Sequence, residues 1–443
     1  MFRLIIKNLW SRRKRNGWLL AELVIVTVLA WIILDPVIVK TYVAHCSPGY
    51  DAERLARISL FEISPMSSRY DAAAATPEAR TEAITRIIGS IAGHPCVDKV
   101  VPVLRWATFE SQGSSWEVVN PNDSVSLSVS RIDYVGGTPF FETFGLEGVA
   151  GGPSAAQLDG MTPGPGEIVI SESLARALFP DGKALGHYML ENTHDFDEAS
   201  AADNDRRIVG VVNDAVIRSS MGRSMITYTS STLAGLVSND AGNIELVVRI
   251  KPNVNMASFL NDFRPLINTE LKSGNVKAYD IKSYESIKED LGLSQGETNE
   301  LRLKTALAVF FLVNLCLGVI GTFYLQTRKR SEDAGVMRSF GATPGYIMRE
   351  MLGEVWVLAT LAWLVGCLAY MQYALKEGLE IIGGFNGATL AAYMPDWTDS
   401  FMLHFTIVSL IIYVILIAVV SAGVYLPARR ISRVSPVDAL RDE

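Results

Sequence analysis

The sequence lacks the motifs by which most enzymes and nucleotide-binding proteins are recognised. No HExxH zinc motif is present, and none of Cys46, Cys96, Cys316 and Cys367 forms a CxxC pair. Gly182–Lys183 is not a Walker phosphate loop, because the upstream glycine and the following Ser or Thr are missing. These absences exclude a CxxC zinc or redox centre, and they indicate that any energy from ATP comes from another polypeptide.

A catalytic constellation is also missing. The five histidines are scattered along the chain: His45, His94, His187, His194 and His404. The acidic stretch 194–205 carries oxygen ligands but lacks the ligand spacing of an EF-hand, so we expect a solvated loop. The residues after Pro180 are predicted to form turns: Gly182, Lys183 and Gly186. No catalytic residue, metal site or cofactor site is predicted in this chain.

Charged residues are scarce in four long apolar runs, at 17–40, 305–327, 352–375 and 403–426. Each run exceeds or approaches the ~20 residues that a helix needs to cross a bilayer. The first run follows a basic segment, as in a signal peptide, but it is too long for a signal core and no small-residue cleavage site follows. We therefore predict four transmembrane helices. No run shows paired buried charges or a broken helix, so no transport route between the spans is predicted.

Basic residues mark one side of the membrane. They cluster at 1–16, at Arg328–Lys329–Arg330 and at Arg429–Arg430, each beside an apolar run. The positive-inside rule then places both termini, the loop 328–351 and the tail 427–443 in the cytoplasm. The first cluster has apolar residues between its charges and no acidic residue, which predicts an amphipathic helix on the inner membrane lipid.

The polar segment 41–300 is then extracytoplasmic, as is the short loop 376–402. The longer segment contains two strand–helix–strand patterns, at 54–105 and at 243–281. Two such units on either side of a long insert predict a ferredoxin-like domain that a second lobe splits.

The predicted ferredoxin-like lobe comprises 50–109 and 239–283. The inserted lobe, 110–238, is rich in short β-prone pieces and is predicted to be β-rich. A helical stalk at 284–304 would lead into the second span. The predicted fold class is therefore an α-helical membrane protein with four transmembrane helices and an α+β extracytoplasmic domain.

Two cysteines, Cys46 and Cys96, fall in this outer domain. An extracytoplasmic compartment is oxidising, so a disulfide can form there. The sequence gives no sign that the two thiols meet, and their pairing stays open. Cys316 and Cys367 fall in apolar spans and are predicted to be small packing residues.

The segment Arg328–Leu352 has the features of a docking element. Glu332–Phe340 predicts a helix that Gly341 ends, and Pro344 starts the next helix at a first-turn position where its missing N–H is harmless. Apolar side chains that can bury against a partner are Val336, Met337, Phe340, Ile347 and Met348. Arg338 and Arg349 can add charge pairing. The alternative is that these side chains rest on the membrane surface, as those of interfacial helices do.

Three motifs resemble one family. Arg330–Thr343 (RSEDAGVMRSFGAT) resembles the cytoplasmic loop of the MacB/FtsX class of ABC transporter permeases, roughly R-x-R-E-I-G-x-x-R-A-x-G-A-T, with Asp333 in place of the Glu. Pro427–Glu443 resembles the ending of the same class. Glu167–Ala184 and Arg207–Asn213 resemble the MacB-type periplasmic core domain. The three motifs occur in the order that the family has.

The resemblance implies a permease subunit, present as a homodimer or heterodimer, that works with a separate ABC ATPase subunit holding ATP and Mg²⁺. The two outer lobes would correspond to the family's porter and sabre lobes. Motion driven by ATP hydrolysis would drive export of a periplasmic substrate by mechanotransmission. A periplasmic adaptor and an outer-membrane channel are further implied partners. The residues implied to couple the chain to the ATPase are Asp333, Gly335, Val336, Met337, Arg338, Phe340, Gly341, Ala342, Thr343 and Pro344.

Other functions share this architecture. A lipoprotein-extraction permease is a close variant of the exporter. An FtsX-like switch would activate a cell-wall hydrolase, but outer domains of that type are smaller than the one predicted here. A passive receptor without a motor would tolerate deletion of Gly341–Pro344. In each case the expected location is the bacterial inner membrane, with multiple spans and no nucleic-acid partner.

Overall fold

A computed structural model describes residues 13–111, 113–119, 126–164, 166–192, 205–218, 224–325, 334–379, 397–398 and 400–432. These residues fall into two compact units. One, the α/β domain, comprises Val43–Glu297, and the other, the helical unit, holds the long apolar helices. The predicted positions that lie outside the described residues are 1–12, Asp333, most of the acidic stretch 194–205, most of the loop 376–402 and the tail from 433 onward.

The described part of the chain contains both long and short helices. Their bounds, in chain order, are α1 Arg13–Ala44, α2 Pro77–Ala92, α3 Phe140–Phe144, α4 Ala155–Gly160, α5 Glu172–Leu178, α6 Leu233–Asp240, α7 Met256–Thr269, α8 Tyr284–Ser294, α9 Glu297–Leu325, α10 Pro344–Glu377 and α11 Phe401–Ser432. Four of them, α1, α9, α10 and α11, are long and apolar enough to cross a membrane. The predicted four-span architecture is confirmed.

The strands belong to the α/β domain. Their bounds are β1 Leu55–Glu62, β2 Val97–Leu104, β3 Ser115–Val119, β4 Ser126–Val135, β5 Glu167–Ser171, β6 Tyr188–Asn192, β7 Asp205–Val212, β8 Ile226–Ser231, β9 Ile244–Ile250, β10 Lys272–Ser273 and β11 Val276–Ser283. They form one sheet with the order β10-β11-β1-β9-β2-β4-β3-β6-β7-β5-β8.

The two predicted strand–helix–strand units interleave in this sheet. β1 lies between β11 and β9, β9 lies between β1 and β2, and all three pairings are antiparallel. Local signals start the first connecting helix, since the Thr76 side chain accepts from the Ala79 N–H and Pro77 occupies a first-turn position. Its apolar face, Ala83, Ile84, Ile87 and Ile91, is buried against the sheet together with α7.

The inserted lobe is built from β3 to β8. One residue pair, Val103 with Tyr134, joins β2 to β4 and connects the lobe to the rest of the sheet. β8 then pairs in parallel with β4, so the six strands close on themselves. Among the described strands of the lobe, closure leaves no unpaired edge. Leu233, Leu236 and Val237 of α6 pack in the core of the first lobe, so the predicted lobe boundary at 238 lies too late in the chain.

Several predicted element boundaries differ from the structure. The single stalk helix over 284–304 is wrong, because α8 ends before Gln295 and α9 begins at Glu297, with Gly296 between them in the left-handed region (φ +77°). The membrane-length stretch of α11 ends at Tyr425, close to the predicted end of the fourth span at 426, and the helix itself continues through Pro427 to Ser432. The turn residues Gly182 and Gly186 both have positive φ, as predicted. Cys46 and Cys96 are free thiols.

The helical unit has a close-packed interior. One apolar cluster joins Leu23 of α1, Leu315 of α9, Val355 of α10 and Val420 of α11. Gly366 of α10 faces α1 so closely that a Cβ there would lie 2.6 Å from the Thr27 Cβ. Small residues at such a crossing allow two membrane helices to approach each other.

Candidate coupling site

The segment between α9 and α10 contains a short helix with a well-formed end. Residues 334–339 are helical, and Gly341 follows in the left-handed region (φ +89°). The Ala342 N–H donates to the Met337 carbonyl (3.0 Å) and the Gly341 N–H donates to the Arg338 carbonyl (3.0 Å). These two bonds are the paired contacts of a Schellman motif, which satisfies carbonyls that would otherwise lack partners. The chain therefore leaves the helix at a fixed angle.

The next helix begins with an equally strong signal. Thr343 is the N-cap of α10, and its hydroxyl accepts from the Tyr346 N–H at 3.3 Å. Pro344 occupies a first-turn position, as predicted. A C-cap glycine and an N-cap threonine thus stand only two positions apart, which makes the turn between the helices short and defined.

Burial separates the candidate residues into two groups. Ala334 and Ile347 are each 1% exposed and belong to the apolar interior of the helical unit, and Gly335 is buried as well. In contrast, Phe340 is 87% exposed and Val336 is 45% exposed. The segment is therefore anchored at both ends while its tip projects an aromatic ring.

The structure places the remaining candidate positions near this tip. Gly341, Thr343 and Pro344 are exposed, and Met337, Arg338 and Ala342 are partly buried. Ile347, predicted to face a partner, instead packs inside the bundle. The helical period explains this difference, because Ile347 continues the apolar stripe of α10, and that stripe faces the other helices of the unit. Asp333 lies outside the described residues.

Exposed cations accompany the tip in the same unit. Arg349 follows in the first turns of α10, and Arg429 and Arg430 lie in the last turn of α11. Arginine at a helix C-terminus also interacts favourably with the helix dipole. Exposed aromatic side chains and arginines are residue types that are enriched at protein interfaces.

The helical unit contains a buried side-chain pair that no sequence pattern predicted. The His404 Nε2 atom lies 2.8 Å from the Asp35 Oδ1 atom, and both side chains are only 2% exposed. Trp397 meets the His404 ring edge-on at 5.2 Å. The prediction that no span shows paired buried charges did not anticipate this buried Asp–His pair between two spans. The two residues are 369 positions apart, so only an acidic residue inside an apolar run could have signalled a buried partner.

Two family models match the chain, and together they cover most of it. Residues 49–266 match the MacB-like periplasmic core domain, and residues 305–436 match the FtsX-like permease C-terminal domain. The second match contains the coupling segment described above.

Named relatives agree with these models. The ABC transporter permease YknZ of Bacillus subtilis is 23% identical over 276 residues, covering 62% of this chain and 61% of the relative. The macrolide export ATP-binding/permease protein MacB of Chromobacterium violaceum is 24% identical over 362 residues, covering 80% of this chain. The chain spans 48% of that relative's length.

Two solved structures are similar to part of this chain. The periplasmic region of MacB from Actinobacillus actinomycetemcomitans is 16% identical, with a TM-score of 0.32, and covers 56% of this chain and 97% of that one. The extracellular domain of the transporter YknZ from Gram-positive bacteria is 14% identical, with a TM-score of 0.29, and covers 51% of this chain and 100% of that one.

Proposed function

The chain belongs to the MacB/FtsX family of ABC transporter permeases, and from this premise we propose that it converts ATP hydrolysis by a separate ATPase subunit into movement of its α/β domain. The coupling segment is the receiving element of this machine. It sits on the cytoplasmic side, and the α/β domain sits in the periplasm. The single observation that carries the proposal is the 87% exposed Phe340 at the tip of a doubly capped turn.

A coupling element must transmit force without deforming. The Schellman end and the Thr343 N-cap fix the turn, and Ala334 and Ile347 fix it to the four-helix interior. Displacement of the Phe340 tip then moves helix ends instead of being absorbed by a loose loop. Close packing of the interior favours such transmission, because packed interiors have low compressibility.

The substrate is handled outside the membrane in this proposal. The α/β domain has one apolar cluster under α2 and α7 and another within the insert, and a third cluster, which includes Val101 of β2 and Tyr228 of β8, is shared by the two lobes. A domain of this size supports export of a periplasmic substrate better than it supports a hydrolase switch. Two permease copies, a periplasmic adaptor and an outer-membrane channel would complete the assembly.

The test compares two exposed phenylalanines. Phe340→Ala removes the proposed contact, whereas Phe310→Ala removes a ring of similar exposure (66%) from the membrane span α9. Burying a phenylalanine is worth about 1.5–3 kcal/mol, or roughly 10–100-fold in affinity. The concentration of ATPase subunit that gives half-maximal stimulation in nanodiscs should therefore rise by about that factor for Phe340→Ala alone.

Membrane insertion must be unchanged in both variants, as measured by yield in the membrane fraction. Equal half-maximal concentrations for the two variants would overturn the assignment of Phe340. Arg338→Gln provides a second probe of the same surface, and we expect it to weaken stimulation in the same direction.

A further inference from the structure

The α/β domain contains an open cleft of about 550 Å³ that the coupling function does not use. It lies on the face of the sheet opposite α2 and α7. On that face, register pairs Arg57 of β1 with Lys282 of β11, and Ser59 of β1 with both Asp280 of β11 and Glu245 of β9. Ligand sites in proteins are commonly clefts of this volume.

A buried carboxylate forms the floor. The Glu245 side chain is 3% exposed; its Oε1 accepts from the Ser59 hydroxyl (2.7 Å) and from the Arg105 Nε (2.9 Å). Its Oε2 lies 3.0 Å from the Arg57 Nε. Two guanidinium groups thus share one carboxylate.

The two arginines are held differently. Arg57 is 12% exposed, and it also donates from Nη1 to the Glu110 carbonyl (3.3 Å). Arg105 is 42% exposed, and Glu245 is its acceptor among the described residues, through Nε alone. The terminal Nη groups of Arg105 therefore remain available for a ligand. A guanidinium fixed in this way presents two parallel N–H donors, which match the two oxygens of a carboxylate.

The other charges of the cleft are already engaged. Lys282 Nζ lies 2.6 Å from the Asp290 Oδ2 and 4.0 Å from the Asp280 Oδ2. The Glu110 carboxylate accepts from the Tyr50 hydroxyl at 3.2 Å. The cleft holds three cations and four carboxylates, and the Nη groups of Arg105 are the donors that a ligand would recognise.

Backbone strain adds an independent sign of function. Glu110, which lines the cleft, has φ +48° and is the non-glycine residue with positive φ among the described positions. Its carbonyl is the one that receives Arg57. Such strain costs free energy, and it is concentrated at functional sites.

The mouth of the cleft is aromatic. Trp106 is 37% exposed and Tyr279 is 50% exposed, and the α8 residues Ile287 and Leu291 line the cleft as well. Aromatic and aliphatic walls favour an apolar body, and the placement of a few polar groups fixes its orientation.

We propose that this cleft binds a carboxylate carried on an apolar body, with the carboxylate on Arg105 and the body against Trp106 and Tyr279. The carboxylate can belong to a free organic acid or to the end of a peptide chain. The site is independent of the coupling function, because binding requires no nucleotide and no ATPase subunit.

Three probes with the same aromatic body test the chemistry. Isothermal titration of the full chain in nanodiscs, with empty nanodiscs as the blank, compares N-acetylphenylalanine, its neutral amide and phenylethylamine. We expect the acid to bind at least tenfold more tightly than the amide, and the amine not to bind. Equal binding of acid and amide, or preferential binding of the amine, would overturn the proposal whatever the variants show.

Matched arginine variants test the residue. Arg105→Gln should weaken binding of the acid by about 10–100-fold, the effect of losing a charge-assisted hydrogen-bonded pair. Arg105→Lys should weaken binding of the acid by an intermediate factor, since an ammonium keeps the charge but lacks the two parallel N–H donors of a guanidinium. Arg86→Gln is the control, because Arg86 is 68% exposed and pairs only with Glu82 among the described residues. Unchanged binding by a folded Arg105→Gln variant would refute the role of Arg105.

The source of the carboxylate is resolved by a second pair of probes. A tripeptide ending in phenylalanine is compared with its amidated form and with N-acetylphenylalanine. Tighter binding of the free-ended tripeptide supports a chain end as the ligand, and equal binding supports a small acid. If the free-ended tripeptide binds no more tightly than its amidated form, both sources of the carboxylate are contradicted.

Discussion

Replacing Glu245 with glutamine should destabilise the α/β domain more than any change to its surface ion pairs. The glutamine has the same shape but carries no charge, and its amide N–H₂ group would face guanidinium donors. Breaking a buried ion pair costs about 3–5 kcal/mol. Arg57 is only 12% exposed, so water cannot replace the ion pair that it loses. Arg105 is 42% exposed and can be hydrated instead. We therefore expect the free energy of unfolding to fall by about 3 kcal/mol, near the lower end of that range.

The loss converts into a temperature shift that calorimetry can resolve. For a domain of this size, 1 kcal/mol corresponds to roughly 2–4 °C in Tm, so Glu245→Gln should lower the melting transition by about 6–12 °C. Glu82→Gln is the matched control, since that carboxylate is 64% exposed and pairs with Arg86 one helical turn away. An exposed pair of this kind contributes about 0.3–0.5 kcal/mol, or at most about 2 °C.

Calorimetry of the full chain in nanodiscs measures both variants under one set of conditions. Hydrogen exchange at the amides of β1 and β9 identifies which transition belongs to the α/β domain. A Glu245→Gln melt within about 2 °C of the Glu82→Gln melt would show that the carboxylate does not hold the two arginines.

Three further predictions concern separate parts of the chain. Burial raises the pKa of Asp159 to about 6, so the folded domain binds the Asp159 proton more tightly than the unfolded chain does. Protonated Asp159 therefore contributes about 3 kcal/mol to the stability of the domain below pH 4, and this contribution is lost as pH rises through 6. Asp159→Asn should remove that part of the pH dependence of stability, as measured by urea titrations at several pH values. Gly49→Ala should prevent folding of the α/β domain, because a Cβ there would lie 2.1 Å from a backbone carbonyl oxygen. Gly151→Ala, with an open site and a similar φ, should cost only about 1–2 kcal/mol, and equal yields of the two variants in the membrane fraction would contradict this contrast. Asp35→Leu should destabilise the helical unit by about 1–3 kcal/mol, because the buried His404 ring loses its hydrogen bond to Asp35. A double replacement of both residues should recover part of the loss in thermal aggregation assays.

Helix ends and membrane spans could be predicted from the sequence, because single residues and the length of apolar runs specify them. The strand–helix–strand pattern at 54–105 predicted a helix between two strands, and α2 begins there at Pro77. Gly341 and Pro344 predicted the end of one helix and the start of the next, because a left-handed cap and a missing N–H are properties of single residues. Four-span architecture followed from run length alone.

Contacts between distant residues could not be predicted in the same way. Glu245 and Arg57 meet because β1 and β9 pair in one particular register, and a strand pattern alone does not specify its neighbour. Asp35 and His404 meet because two spans cross. Ile347 was assigned to the outside because its local pattern does not show which face of α10 the bundle covers.

The most direct test of the coupling account is photo-crosslinking from the tip of the coupling segment. A photoreactive phenylalanine analogue at position 340, and in a second variant at position 310 of α9, is activated in intact membranes. Both sites are exposed, so both probes have access to neighbours. The account predicts that position 340 crosslinks to a protein whose sequence, read by mass spectrometry, contains a Walker phosphate loop, and that position 310 does not. Crosslinking of position 340 to lipid alone, with no ATPase captured, would contradict it.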